Sequence, residues 1–298
     1  MTALRWARIL RSLGQKVRVR ERWSGEPARM LIAIHAEKSA PSVARFAAER
    51  PGLPVVLAVA GTDLYPAASL TGTARRALRD ATRIVVLQPD ALDRLDPDLR
   101  CKTRVIRQSA RAPERVEKPA DCVSVVVAAH LRRIKDPLLA ARAARDLSPS
   151  SRVRVTLLGE PLDPDLADEA RAEASQNPRF RWAGPLPHAL ATRAIARSHL
   201  CVNSSLAEGG SIAISEALAA GTPVLASAIP GNVGVLGEDW PGLFSPSDRV
   251  ALRDLLRRFE EDPIFRATLE RGARALRPLF LPERETEAWR ELLAEILA

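Results

Sequence analysis

Glu208 and Glu216 bracket the turn Gly209-Gly210-Ser211, and this grouping is suited to holding sugar and phosphate groups. A glycine pair ahead of a helix start leaves backbone N–H groups bare and lets a phosphate or sugar approach closely. Glu216, about a turn and a half into that helix, can accept hydrogen bonds from a diol such as a ribose. Glu208, still in the loop, can do the same for a sugar ring. Either acid alone is also explained by the macrodipole, which favours carboxylates at a helix start. Both acids, the Gly-Gly pair and the following Gly221-Thr222-Pro223 together favour the functional reading.

A second constellation is His130-Leu131-Arg132-Arg133-Ile134-Lys135-Asp136-Pro137, directly after the apolar run Val123–Ala129. Cations at the carboxyl end of a strand occupy the ligand crevice of an open α/β sheet. Arg offers forked contacts to a diphosphate and Lys a compact charge; a solvated basic turn is the alternative. Two strand ends in the first third also carry polar groups. His35 and Lys38 follow Leu31–Ile34, and Gly61-Thr62-Asp63 follows Val55–Ala60. His35 could act on an acceptor proton, orient a phosphate, or be structural. Gly61, Thr62 and Asp63 could bind an anionic acceptor or form a plain turn.

Other chemistries find little support. Asp96-Pro97-Asp98 and Asp163-Pro164-Asp165 have a D-x-D pattern but lie in proline turns outside strand ends, so no metal site is expected. No Ser-His-Asp constellation or Walker-type loop is present, and Cys101, Cys122 and Cys201 lack metal-ligand spacing. An odd number of cysteines, no signal-peptide core and no long apolar run suggest a cytoplasmic protein. The net charge of +9 invites a basic nucleic-acid-binding α/β protein, but the cations are dispersed and aromatics are only 4%. No nucleic-acid partner is therefore expected.

The elements that must position these groups alternate between short apolar runs and helical stretches, the pattern of parallel α/β sheets. Residues 3–13 read as an amphipathic helix with Trp6, Ile9, Leu10 and Leu13 on one face and Arg5, Arg8 and Arg11 on the other. Such a helix packs on a sheet or lies on a membrane. Strands are expected at Val17–Val19, Leu31–Ile34, Val55–Ala60, Ile84–Leu87 and Arg104–Ile106, with helices at Val43–Arg50 and Thr73–Ala81. Arg107–Ala120 reads as a linker. A second series follows with strands at Val123–Ala129, Val153–Leu158, Phe180–Trp182, Leu200–Asn203 and Val224–Ala226, and the chain after Phe244 is helical.

Glu208, seven residues, Glu216, then E-A-L-A-A-G-T-P-V resembles the donor-site signature of retaining-type, family 4-like GT-B glycosyltransferases. That resemblance implies two Rossmann-like domains with a cleft between them, the C-terminal one holding a nucleotide-sugar. It implies an acceptor-side domain over 1–112, with a helix at 282–298 packing back on it, and a donor domain over 113–281. In the family the basic turn runs G-R-L, three residues, Lys. Lys135 matches that lysine, while His130 stands where the arginine usually does and Arg132 or Arg133 takes over its charge. Gly159, Gly184 and Leu186 fall where relatives approach the nucleotide and hold the base partly through backbone groups. Cations and helix dipoles, without a metal cofactor, stabilise the leaving diphosphate in this family.

T-A-L-R-W-A-R-I-L, G-T-D-L-Y and H-L-R-R-I-K-D-P are similar to a narrower group, the selenosugar synthases of selenoneine biosynthesis. That resemblance implies a UDP-sugar of glucose or N-acetylglucosamine type as donor and selenophosphate as acceptor. His35, Lys38, Arg133, Lys135 and Glu208 are then the catalytic set. His130, Arg132, Gly159, Gly184, Leu186, Gly209, Gly210, Ser211 and Glu216 bind the donor, and Gly61, Thr62 and Asp63 the acceptor. A lipid-linked or polysaccharide acceptor is the alternative within the family. GT-B first domains open with a buried strand, whereas this chain opens inside a helix. A first sheet lacking that strand, with a gap or an exposed edge, is therefore expected.

Overall fold

The computed structural model describes residues 2–59, 61–64, 70–111, 113 and 116–297. The elements begin α1 (Thr2–Ser12), β1 (Leu31–Ile34), α2 (Ala36–Glu49), β2 (Val55–Ala58) and α3 (Gly61–Leu64). They continue α4 (Gly72–Asp80), β3 (Arg83–Val86), α5 (Asp90–Asp93), α6 (Pro97–Arg100) and β4 (Thr103–Val105). Then come β5 (Val123–Ala128), α7 (Leu139–Arg145), β6 (Val153–Leu158), α8 (Pro164–Gln176), β7 (Phe180–Trp182) and α9 (His188–Arg197). The remainder is β8 (Leu200–Asn203), α10 (Ile212–Ala220), β9 (Val224–Ser227), α11 (Pro230–Leu236) and β10 (Leu243–Phe244), then α12 (Arg249–Glu261), α13 (Pro263–Leu276) and α14 (Pro282–Leu297). Two compact units result: 1–108 with 282–298, and Ser109–Leu281.

The first unit holds a four-stranded parallel sheet in the order β1-β2-β3-β4. Its central strand β2 is apolar and buried on both faces, as a parallel strand covered by helices is. Val55 and Leu57 pack into one cluster with Val43 and Phe46 of α2 and Leu78 of α4. Val56 and Val85 pack into the other with Trp6 and Leu10 of α1 and Trp289 and Leu292 of α14. The period of two along each strand produces this division. Trp6 and Trp289 meet edge to face at 4.9 Å, and the buried Glu285 accepts from Trp6 Nε1 at 2.8 Å and Arg5 Nε at 3.2 Å. The apolar face of α1 is thus buried within its own unit, which removes it as a membrane-facing surface.

The strand expected at Val17–Val19 does not form. Val17 and Val19 are half-buried between exposed Lys16, Arg18 and Arg20. The alternation is strand-like, but β1 pairs only with β2 among the described residues. A period-two pattern without a neighbouring strand has nowhere to put its backbone hydrogen bonds. The sheet has no gap, and β1 forms one of its edges.

The second unit holds a six-stranded parallel sheet in the order β10-β9-β8-β5-β6-β7. Strand order reverses between β5 and β8, which are hydrogen-bonded neighbours. The carboxyl ends of strands at such a reversal are where open α/β sheets bind ligands. The segments leaving those two strands are 129–137 and 204–211, the two singled out by their chemistry.

Candidate active site

The turn after β5 is anchored by Leu131, which is fully buried. Arg133–Lys135 forms one 3-10 turn, and Asp136 ends it in the left-handed region at φ 40, a conformation that Asp tolerates better than most residues. The loop after β8 is fastened to it: Leu206 N–H donates to Ile134 O at 2.8 Å, and Ser204 Oγ donates to Asp136 O at 2.7 Å. These bonds bring Lys135 and Glu208 together. Lys135 Nζ lies 2.5 Å from Glu208 Oε1, and Ser205 Oγ donates to the same oxygen at 2.9 Å. Both side chains are largely buried, at 26% and 12% exposed. A charge-assisted bond in such surroundings fixes both groups more firmly than one in water.

A buried polar network holds the main chain around Glu208. Asn203 Oδ1 accepts from Ser205 N–H at 3.2 Å, and Ser227 Oγ donates to Ser205 O at 2.5 Å. Asn232 Nδ2 reaches Asn203 Oδ1 at 3.1 Å and Ser227 O at 3.0 Å. Beneath the loop, Gly231 leaves no room for a side chain: a Cβ there would sit 1.9 Å from Glu208 O. The start of α11 is therefore the floor on which Glu208 rests.

Ser211 caps α10, accepting from Ile214 N–H at 3.5 Å and from Asn203 Nδ2 at 2.8 Å. Gly209 and Gly210 precede it half-buried, beside helix-start amides that have no partner within the helix. Gly221 stops α10 at φ 73. Glu216 is buried, and its Oε1 lies 2.7 Å from Nε2 of His188 at the start of α9. Cys201, wholly buried on β8, has its thiol pushed up to about 12 by burial and by the Glu216 charge.

The remaining donor-side residues are placed separately. His130 Nδ1 accepts from Glu160 N–H at 3.1 Å, and the Glu160 carboxylate lies 4.0 Å from the same nitrogen. Arg132 is exposed. Arg133 leans toward α8 and its approach, 3.5 to 3.8 Å from Asp163, Asp165 and Glu169. Gly159 is required by the neighbouring strand end, because its Cβ would meet Ala129 O at 2.0 Å. Gly184 turns the chain after β7 at φ 71, and Leu186 packs against the core.

In the first unit, His35 adopts φ 77 and ψ 106, a strained backbone for a residue with a Cβ. Its Nδ1 lies 2.7 Å from Asp63 Oδ1, and Asp63 Oδ2 accepts from Ala36 N–H at 2.8 Å. Asp63 is buried and capping α2, so its carboxylate is committed to its own unit rather than presented as a loop side chain. Lys38 is exposed. Glu37 accepts from the backbone N–H and hydroxyl of Thr71, which lower its pKa. Gly61 and Thr62 open the short α3; the side chain of Thr62 and the residue Tyr65 lie outside the described residues. Asp163 caps α8 through its side chain, and Asp96 stands at the start of α6 without a side-chain cap bond. Among the described residues no cluster of three metal-ligating groups occurs and no helix is long and apolar enough to cross a membrane.

Sequence reasoning missed His188, Asn232 and Ser205. The neighbours Ser204-Ser205 after a strand were a usable signal; His188 is defined by Glu216, 28 residues away, and Asn232 by Ser227 and the more distant Asn203.

The strand-order reversal, the capped start of α10 and the two acids all fall within the stretch of chain that matches known proteins. Residues 109–276 match the glycosyl transferases group 1 family, more than half of the chain. The chain belongs to that family. It is 35% identical over 125 residues to a glycosyltransferase 1 domain-containing protein of Xenopus tropicalis, covering 41% of this chain and 36% of that protein. It is 29% identical over 182 residues to D-inositol 3-phosphate glycosyltransferase 1 of Catenulispora acidiphila, covering 56% of this chain and 42% of that one. The chain thus spans less than half the length of these curated relatives. HepE of Anabaena, solved with UDP and glucose, superposes with a TM-score of 0.73 at 18% identity over 90% of this chain and 78% of that one. Sucrose-phosphate synthase of Thermosynechococcus elongatus gives 0.74 at 21% over 90% and 74%. The fold is α/β with parallel sheets, of the GT-B type.

Proposed function

We propose that this chain transfers a hexose of glucose or N-acetylglucosamine type from a UDP-sugar to selenophosphate, forming a 1-seleno-sugar. The observation that carries the donor half is the Lys135–Glu208 pair at the strand-order reversal. Lys135 faces the diphosphate, Glu208 the sugar and Glu216 the ribose, with the amides ahead of α10 completing the phosphate site. Selenium attacks the anomeric carbon, the bond from that carbon to the diphosphate oxygen breaks, and UDP leaves with the electron pair; the sugar then carries selenium still bonded to phosphorus, and hydrolysis of that Se–P bond by water releases phosphate and the 1-seleno-sugar. Lys135 and the helix dipole stabilise the departing charge, with Arg132 or Arg133 in support.

The acceptor half rests on the similarity of three segments to selenosugar synthases. A selenium anion is a strong nucleophile and needs little help from a base, but it is an anion and needs cations. His35 and Lys38 are the first-unit candidates for holding it. D-Inositol 3-phosphate glycosyltransferase 1, named for a phosphorylated compound, lends this assignment general support.

The test is UDP release and product mass from UDP-glucose and UDP-N-acetylglucosamine, with and without selenophosphate. Selenophosphate-dependent release of UDP with a selenium-bearing sugar, abolished in Glu208→Ala, is the expected result. UDP release with another acceptor and none with selenophosphate would overturn the acceptor and leave the donor.

A further inference from the structure

α10 is apolar on nearly every side: Ala213, Ile214, Ala217, Leu218 and Ala219 are all buried. Glu216 lies among them with its side chain 7% exposed. A carboxylate in that setting must be hydrogen-bonded or it will not stay ionised. His188 meets it from outside, with its own side chain 57% exposed and Nε2 2.7 Å from Oε1. With Glu216 ionised the carboxylate can only accept, and the proton of this bond then sits on Nε2.

His188 reaches that position along a stiff path. It follows Gly184-Pro185-Leu186-Pro187, in which a left-handed glycine sets the direction and two prolines fix φ. It is the first residue of α9, and its carbonyl accepts from Thr192 Oγ1 at 2.8 Å. The imidazole is therefore delivered to Glu216 by the segment that also carries Leu186.

A carboxylate offers roughly four lone-pair positions. A vicinal diol can donate both of its hydroxyls to one carboxylate. We infer that His188 is a positioning residue for the ribose end of the nucleotide: it holds the Glu216 carboxylate at the angle that receives a vicinal diol. This rests on the donor reading above. His188 then contributes to affinity only through hydroxyls that Glu216 can grip, so its effect depends on the ligand's ribose.

The test is calorimetric binding of UDP and 2′,3′-dideoxy-UDP to the full chain, as wild type, His188→Ala, His188→Gln, Glu216→Gln and the Ala/Gln double variant. His188→Ala is expected to weaken UDP about tenfold, the loss of one hydrogen bond to a charged group, and dideoxy-UDP less than twofold. His188→Gln, which keeps a donor, recovers part of the loss, and His188→Ala adds nothing once Glu216 is Gln. Equal weakening of both ligands, or none of either, overturns the inference while leaving the donor reading intact. Wild-type protein that binds UDP no better than it binds phosphate overturns both. The exposed position of His188 makes misfolding of the variants detectable as a shift in melting temperature, which is expected to stay at the wild-type value.

Discussion

Replacing Gly231 by alanine would put a methyl carbon almost where the Glu208 carbonyl oxygen already is. The ideal Cβ lies 1.9 Å from that oxygen and 2.6 Å from its carbon, and both are backbone. Reaching even 3.0 Å, closer than real side chains come, requires a movement of about 1.1 Å. The Glu208 loop is the part free to lift, because α11 is pinned through Asn232, which is fully buried. A 1 Å displacement would break the 2.5 Å and 2.9 Å contacts of Glu208 with Lys135 and Ser205. Misplacement on that scale costs about a hundredfold in rate, and overpacking costs about 1–3 kcal/mol. In a unit the size of Ser109–Leu281 that lowers Tm by roughly 2–12 °C. Thermal melting by circular dichroism, with UDP release from the UDP-sugar, reads both effects. Gly221→Ala is the control: nothing lies within 4 Å of its Cβ, but its φ of 73 is unfavourable, so it loses about 1–2 kcal/mol and little activity. Gly231→Ala melting and turning over like wild type would refute the account of the floor beneath Glu208.

Asp63→Ala leaves the Ala36 amide and His35 without their buried partner, and should cost about 1–3 kcal/mol in chemical denaturation; Asp63→Asn, keeping one acceptor, should cost less. Asp136 has its pKa raised by burial, against the lowering influence of Arg142 and Ser247. The folded state therefore holds its proton to higher pH than the unfolded chain, and stability falls as pH rises from the unfolded value through the folded one. Asp136→Asn should remove that loss, stabilising the protein at pH 7 but not at pH 3; equal shifts at both would count against it. Cys201, buried and pushed up to about 12, should resist a thiol reagent in the native protein while exposed Cys101 reacts, and should titrate only on unfolding.

Strands with strong apolar runs were legible to the residue. Leu31–Ile34, Val153–Leu158, Phe180–Trp182 and Leu200–Asn203 occupy their expected spans, because a short run rich in apolar residues reads as a strand whether one face or both are covered. Helix α2 was not: the pattern placed its start at Val43, whereas it begins at Ala36 and contains Pro41. Its first amides are taken by Asp63, 27 residues away, and local propensity cannot report that. Val17–Val19 failed for the opposite reason, having the right pattern without a partner. In the site, Lys135 and Glu208 were each marked by a local motif, and the structure brings them within hydrogen-bonding distance. Arg133 shared the motif but is drawn toward acids on α8 and its approach. His188 had no motif, because its meaning lies in a buried acid on another helix.

The first unit is assembled from two separate stretches of chain, 1–108 and 282–298. Trp289, Leu292 and Leu293 of α14 fill the same cluster as Trp6, Val56 and Val85. During synthesis that cluster stays open while residues 109–281 are made, roughly 10–30 s at 5–20 residues per second. The second unit can fold in that interval, whereas the first waits with a sheet face uncovered. Chains stalled or cut before α14 would therefore carry a finished second unit and a sticky, protease-sensitive first one, and cellular quality control would meet this protein at its first unit.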